Sequence, residues 1–253
     1  MLNSLITIAL LFCFSISAMA QQPERVALLI GNSNYENGPL ANPGNDVDAL
    51  ETSLTKLGFA VTKHKDLNRT AMQKVIAEIA NGLTKDDLLM FFYAGNAVGV
   101  DGFQYFVPIG AKLESRADLA TEAISMLDMF TTWNDTTCVK VLICDCNRDN
   151  PFPEQDPAKA VSGPSQTQIR SPEKMIVAFS TEPGGVALDG SGDHSPFVAS
   201  LLEHLDQRPD EGLMLMTVLK TTALDVKKKT GQRPFLEMDA SMQPVKLSNS
   251  PAN

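Results

Sequence analysis

The feature that most limits the fold of this chain is a set of short apolar runs that recur between amphipathic segments. Arg25–Gly31 (RVALLIG), Leu88–Tyr93 (LLMFFY), Val139–Ile143 (VKVLI) and Lys174–Ser180 (KMIVAFS) each have the length of a buried strand rather than of a helix. Between the first two lie two helical stripes. Val47, Leu50, Leu54 and Leu57 recur at spacings of three and four, and Gly58 closes that segment. Met72, Ile76, Ile79 and Leu83 form a second stripe within Thr70–Leu83, and Phe59–Lys63 reads as a strand between the two. Apolar strands alternating with helices predict an α/β fold, a mostly parallel central sheet with helices on both faces. At 253 residues the chain is long enough for one large domain with a substantial core.

The remaining elements follow from local signals. Asn45 is placed to cap the first helix, with Asp46 and Asp48 in its first turn. Asp101-Gly102 between Val98–Val100 and Tyr105–Val107 predicts a hairpin. Met126–Trp133, Pro196–Leu205 and Leu213–Thr230 read as helices, and Pro234–Met238 as a last strand. Pro151, Pro153, Pro157, Pro164 and Pro172 punctuate a polar stretch that predicts a long surface loop.

Residues 1–20 read as an export signal. Leu5–Phe14 is nearly all apolar, and Ala18-Met19-Ala20 offers the small residues of a cleavage site, so cleavage after Ala20 leaves Gln21 first. The apolar run is short for a membrane span, so no stable span is expected and the mature chain is expected to be periplasmic or secreted. No Lys or Arg precedes the run, which keeps a retained anchor as the alternative. The mature domain then covers residues 21–253, with its core at about 25–238. Net charge is −9, which repels phosphate backbones and argues against nucleic acid as a partner. Cys138, Cys144 and Cys146 remain after the leader is removed; an odd number rules out a fully paired disulfide framework. Cys144 and Cys146 lack zinc-site spacing and read as buried apolar residues, and nothing in the pattern asks for a metal or cofactor.

In a parallel α/β sheet, sites lie at the carboxyl ends of the strands. Here those ends are Gly95-Asn96-Ala97, Asp145-Cys146-Asn147 and Thr181–Ser195. These segments, with Ala27–Tyr35 (ALLIGNSNY) and Leu40–Asp46 (LANPGND), resemble the bacterial caspase-like and metacaspase-like peptidases. Phe91–Ala97 (FFYAGNA) is similar to the stretch where that family has Tyr-Ser-Gly-His-Gly. Ile143–Phe152 (ICDCNRDNPF) is similar to the stretch where it has Asp-Ala-Cys-Arg-Asn-Asn-Pro-Phe. Ser180–Gly184 and Asp189–Phe197 match the substrate-loop region, and the likeness runs from about Arg25 to Phe235 in the family's order and spacing. The resemblance implies a caspase-like three-layer sandwich, cysteine-type endopeptidase ancestry and, through the edge strand, a homodimer.

The family's chemistry rests on a Cys–His dyad: a thiolate attacks the scissile carbonyl, and the histidine activates it and protonates the leaving amine. Carried over by position, the histidine falls on Asn96 and the cysteine on Asn147, and the glycine after the histidine has become Ala97. An asparagine amide neither titrates at neutral pH nor attacks a peptide, so the residues argue for the fold without the protease reaction. The fallback is a relocated dyad, Cys146 with His194, although strand alternation aims Cys146 away from its neighbour's direction. His64, after the second strand, reads as an exposed loop residue, and His204, in an amphipathic helix, as a surface or partly packed one. The resemblance gives Asp145 the place of the acid that receives a Lys or Arg side chain of the peptide. Three functions follow as expectations: an inactive module binding a peptide or protein partner, a cysteine endopeptidase with relocated residues, or an exported scaffold without a peptide site.

Overall fold

In the computed structural model, the described residues are 24–81, 83–100, 103–134, 136–146, 160–161, 174–207, 212–240 and 242–248. The leader and Asn147 lie outside them, as does the proline-punctuated loop apart from residues 160–161. The elements in chain order are β1 (Arg25–Gly31), α1 (Pro43–Lys56), β2 (Ala60–Lys65), α2 (Arg69–Ile79), β3 (Leu88–Ala94), β4 (Ala97–Val100), β5 (Phe103–Phe106), α3 (Leu119–Glu122), β6 (Ile124–Ser125), α4 (Met126–Thr132), β7 (Val139–Asp145), β8 (Ala160–Val161), β9 (Met175–Phe179), α5 (Pro196–Leu205), α6 (Leu215–Thr230) and β10 (Phe235–Met238).

Six strands form one sheet in the order β10-β9-β7-β3-β1-β2, parallel except for the edge strand β10. Side-chain alternation divides the core into two layers. From β3, Leu88, Met90, Phe92 and Ala94 face the layer that contains the buried sides of α1, α5 and α6. Leu89, Phe91 and Tyr93 face the other layer, with residues of α2 and α4. Helices therefore cover both faces, and the apolar runs are buried on both sides, as a parallel sheet requires. The second layer is aromatic. Trp133 is fully buried, its ring lies 5.7 Å from that of Phe91, and its indole N–H donates to Ile76 O at 2.8 Å. Lys140 interrupts the apolar run of β7, yet it is buried, with its ammonium donating to Thr136 O at 2.6 Å.

Several elements differ from the sequence expectation. Helix α1 begins at Pro43 with Asn42 at the cap position, not at Asn45. Proline suits the first helical position because its missing N–H has no intrahelical partner there. Helix α2 stops at Ile79 rather than Leu83, and β2 runs on to Lys65. That extension places His64 inside a strand, half-buried, rather than in an exposed loop. The expected hairpin is present as β4 and β5, but it belongs to a second, four-stranded sheet in the order β6-β5-β4-β8. Strand β8 falls within the stretch expected to be loop.

Candidate functional site

The site is built from the carboxyl ends of β1, β3, β7 and β9. Gly31, Ala94 and Asp145 are level across the sheet. Cys144 pairs with Phe179, so Asp145 is level with Ser180. The ladder continues past the strand ends: Asn32 N–H donates to Ala94 O at 2.9 Å, and Ser180 N–H to Cys144 O at 2.9 Å. Alternation sends this row toward the α1 and α5 layer, because Cys144 and Cys146 on either side of Asp145 belong to the opposite layer. Across the row the small residues Gly31 and Ala94 accompany Asp145, and the start of α1 packs directly against Gly31.

Asp145 is fully buried, and neither carboxylate oxygen has a hydrogen-bond partner among the described residues. The buried Ser180 hydroxyl oxygen beside it is likewise without one. A carboxylate removed from water without a donor is an expensive arrangement, and native structures rarely keep one without a reason.

A second buried acid closes the same layer from above. Asp46 sits in the first turn of α1 and is 1% exposed. Its Oδ1 accepts a hydrogen bond from His194 Nδ1 at 3.0 Å and from Ser195 N–H at 3.3 Å. Ser195 in turn caps α5, its hydroxyl oxygen accepting from Val198 N–H at 3.0 Å. The loop of residues 181–195 is also latched to the loop before α1. Ala41 N–H donates to Asp189 Oδ2 at 2.6 Å, and the Asn42 amide donates to Asp189 O. Gln232 holds the loop's other end, donating to Ser180 O at 2.6 Å and accepting from Leu188 N–H at 2.9 Å.

Asn96 follows β3 and is half-buried. Two tyrosines fix its backbone. Its N–H donates to Tyr35 Oη at 2.8 Å, and its carbonyl accepts from the Tyr93 hydroxyl at 2.9 Å and from Val107 N–H at 2.9 Å. Burial pushes the Tyr35 hydroxyl up to about 12, and burial, reinforced by Tyr35, pushes Tyr93 well above the usual value. Both hydroxyls therefore remain protonated at physiological pH. Gly95 is required here, since a Cβ would lie 2.6 Å from Tyr35 Oη and 2.8 Å from Tyr93 Oη.

The two halves of the relocated dyad are not brought together. Cys146 is fully buried in the aromatic layer with Tyr93 and Phe106, whereas His194 is bonded to Asp46 on the α1 and α5 side. Cys138 and Cys144 are buried free thiols as well. His204 donates to Asp225 at 2.8 Å and joins α5 to α6. Asn147 lies outside the described residues. Among the described residues, no group of three or more His, Cys, Asp and Glu could hold a metal ion, and no helix is long and apolar enough to cross a membrane. From the sequence Asp46 reads as a first-turn residue of the first helix, and no individual role attaches to Ser180, Gln232 or the tyrosine pair. Asp46 meets His194 148 positions on, Ser180 meets Gln232 52 positions on and Asn96 meets Tyr35 61 positions back, separations at which no local pattern signals a partner.

Architecture and site together define a caspase-type α/β sandwich, with its candidate site at the carboxyl ends of the parallel strands. The family model of the caspase domain of peptidase C14 matches residues 24–247, and the chain belongs to that family. It is also similar to the human mucosa-associated lymphoid tissue lymphoma translocation protein 1, 29% identical over 136 residues. That match covers 53% of this chain and 16% of the human protein.

Proposed function

We propose that this chain uses the caspase cleft to bind a peptide or protein segment without cleaving it. The observation that carries the reading is Asp145, a buried carboxylate with no hydrogen-bond partner among the described residues. Its natural complement is the charged end of a lysine or arginine, which would restore the missing hydrogen bonds and balance the charge. Asn96 and Asn147 at the dyad positions support binding without turnover. The burial of Cys146, together with the His194 to Asp46 bond, gives the relocated-nucleophile reading no support. An arginine-containing peptide titrated calorimetrically is expected to bind the natural chain and to lose about 1–3 kcal/mol with Asp145→Asn, the range for a hydrogen bond to a charged group. Equal affinity for both proteins would reduce Asp145 to a structural residue and favour a plain scaffold.

The same proposal places the protein outside the cytoplasm, in the periplasm or secreted. Its support is the apolar Leu5–Phe14 run followed by Ala18-Met19-Ala20. N-terminal sequencing of natively produced protein is expected to begin at Gln21. An intact Met1 on cytoplasmic protein would overturn this part of the proposal.

A further inference from the structure

Helix α6 carries two faces. Leu215, Val218, Leu219, Thr222 and Val226 are buried against the sheet. On the outer side, Lys220, Leu224 and Lys227 follow one another at spacings of four and three, and so lie along one stripe. This stripe and the edge strand β10 line a groove of about 410 Å³, with Leu224, Pro234 and Leu236 as its apolar lining and Lys220, Lys227 and Arg233 as its cations. Leu224 is 67% exposed, unusual for a leucine in the middle of a helix that otherwise buries its apolar residues. The outer edge of β10 has no strand beside it among the described residues.

We propose that this groove docks an acidic, leucine-bearing segment of a partner protein, laid in extended form along β10. Charge decides the occupant. Lys220 and Lys227 have no ion-pair or hydrogen-bond partner among the described residues, and only Arg233 has a weak one, Glu182 at 3.6 Å. Three cations around an apolar lining form a local positive site on a chain whose net charge is −9. An acidic segment is repelled by the net charge of the molecule and attracted at this local site, which favours selectivity. An extended segment beside β10 would send alternate side chains toward α6, as Leu236 already points. Apolar residues would reach Leu224 and carboxylates the two lysines, with unpaired strand edge available for main-chain hydrogen bonds. A second copy of this chain fits less well, because a two-fold contact centred on the groove sets the same three cations against themselves.

The test is fluorescence anisotropy on the full chain, with a labelled peptide that alternates leucine and glutamate. Saturable binding is expected. The double variant Lys220→Glu with Lys227→Glu, and separately Leu224→Ser, should each weaken it by about tenfold or more, with folding checked by circular dichroism. Raising salt from about 50 to about 500 mM should weaken it too, since these cations are exposed. The charge-reversed protein should prefer the peptide in which lysine replaces glutamate. Asp145→Asn should leave the affinity unchanged, which separates this groove from the cleft. Equal binding of a serine-for-leucine peptide, or indifference to the two lysine substitutions, would overturn the proposal. So would a dimer in sedimentation that Leu224→Ser dissolves, which would assign the face to a second copy.

Discussion

Gly31→Ala is expected to destabilise the fold by about 3 kcal/mol or more, lowering Tm by roughly 6–12 °C in a domain of this size. Gly31 closes β1 at the point where α1 begins. A Cβ there would overlap the Pro43 carbonyl oxygen and sit 2.9 Å from its carbon and 3.1 Å from a methyl of Val47. The first two are backbone atoms in the opening turn of a helix, so no side-chain rotation relieves the clash, and α1 must move as a body. The same turn carries Asp46, and with it the bonds to His194 and Ser195. Loss of stability should therefore come with loss of order in the loop of residues 181–195. Differential scanning calorimetry supplies the first readout and limited proteolysis the second. Gly192→Ala is the control, since a Cβ there meets nothing within 4 Å, and its effect should stay within about 0.5 kcal/mol. A Gly31→Ala protein that melts with the natural one would contradict the close approach of β1 and α1.

Much of this architecture is written in short-range pattern. The runs at Arg25–Gly31 and Leu88–Ala94 are strands because each presents apolar side chains to both layers. Helix α5 spans Pro196–Leu205 as its serine cap and proline start suggest. What periodicity does not carry is pairing. The antiparallel course of β10, the second sheet around β4 and the joining of residues 160–161 to it depend on contacts between distant segments. The site divides in the same way. Asp145 and Asn96 stand at strand ends that an apolar run announces. The acid at Asp46 looks like an ordinary first-turn residue until His194, 148 positions on, is found beside it. Tyr35 and Tyr93 hold Asn96 by its backbone, a role no side-chain pattern could declare.

On the proposed reading, the frame around Asn96 keeps the site in place without the reaction. Gly95, the tyrosine hydroxyls and the β3 to β7 register all position the backbone at residue 96, whatever side chain it carries. Peptide cleavage needs more than position. A nucleophile must give up a proton as it attacks the carbonyl, and an acid must return one to the departing amine. An asparagine amide does neither at neutral pH. Where catalytic groups have been removed from serine proteases, only about 10³–10⁴-fold acceleration over water remains, from oxyanion stabilisation and binding. Such a remnant is invisible in an ordinary assay. Restoring the dyad with Asn96→His and Asn147→Cys, with Ala97→Gly to free the neighbouring backbone, is the matching gain-of-function experiment. Any thiol-dependent turnover in that variant would mark the surrounding cleft as intact.

The most direct measurement is hydrolysis of arginine, lysine and aspartate reporter peptides by the purified natural chain, with and without calcium, before and after thiol alkylation. No turnover above the peptide's own rate is expected under any of these conditions, and no change on alkylation. Clear turnover by the natural chain that alkylation or Cys146→Ser abolishes would contradict this expectation and establish Cys146 as a working nucleophile.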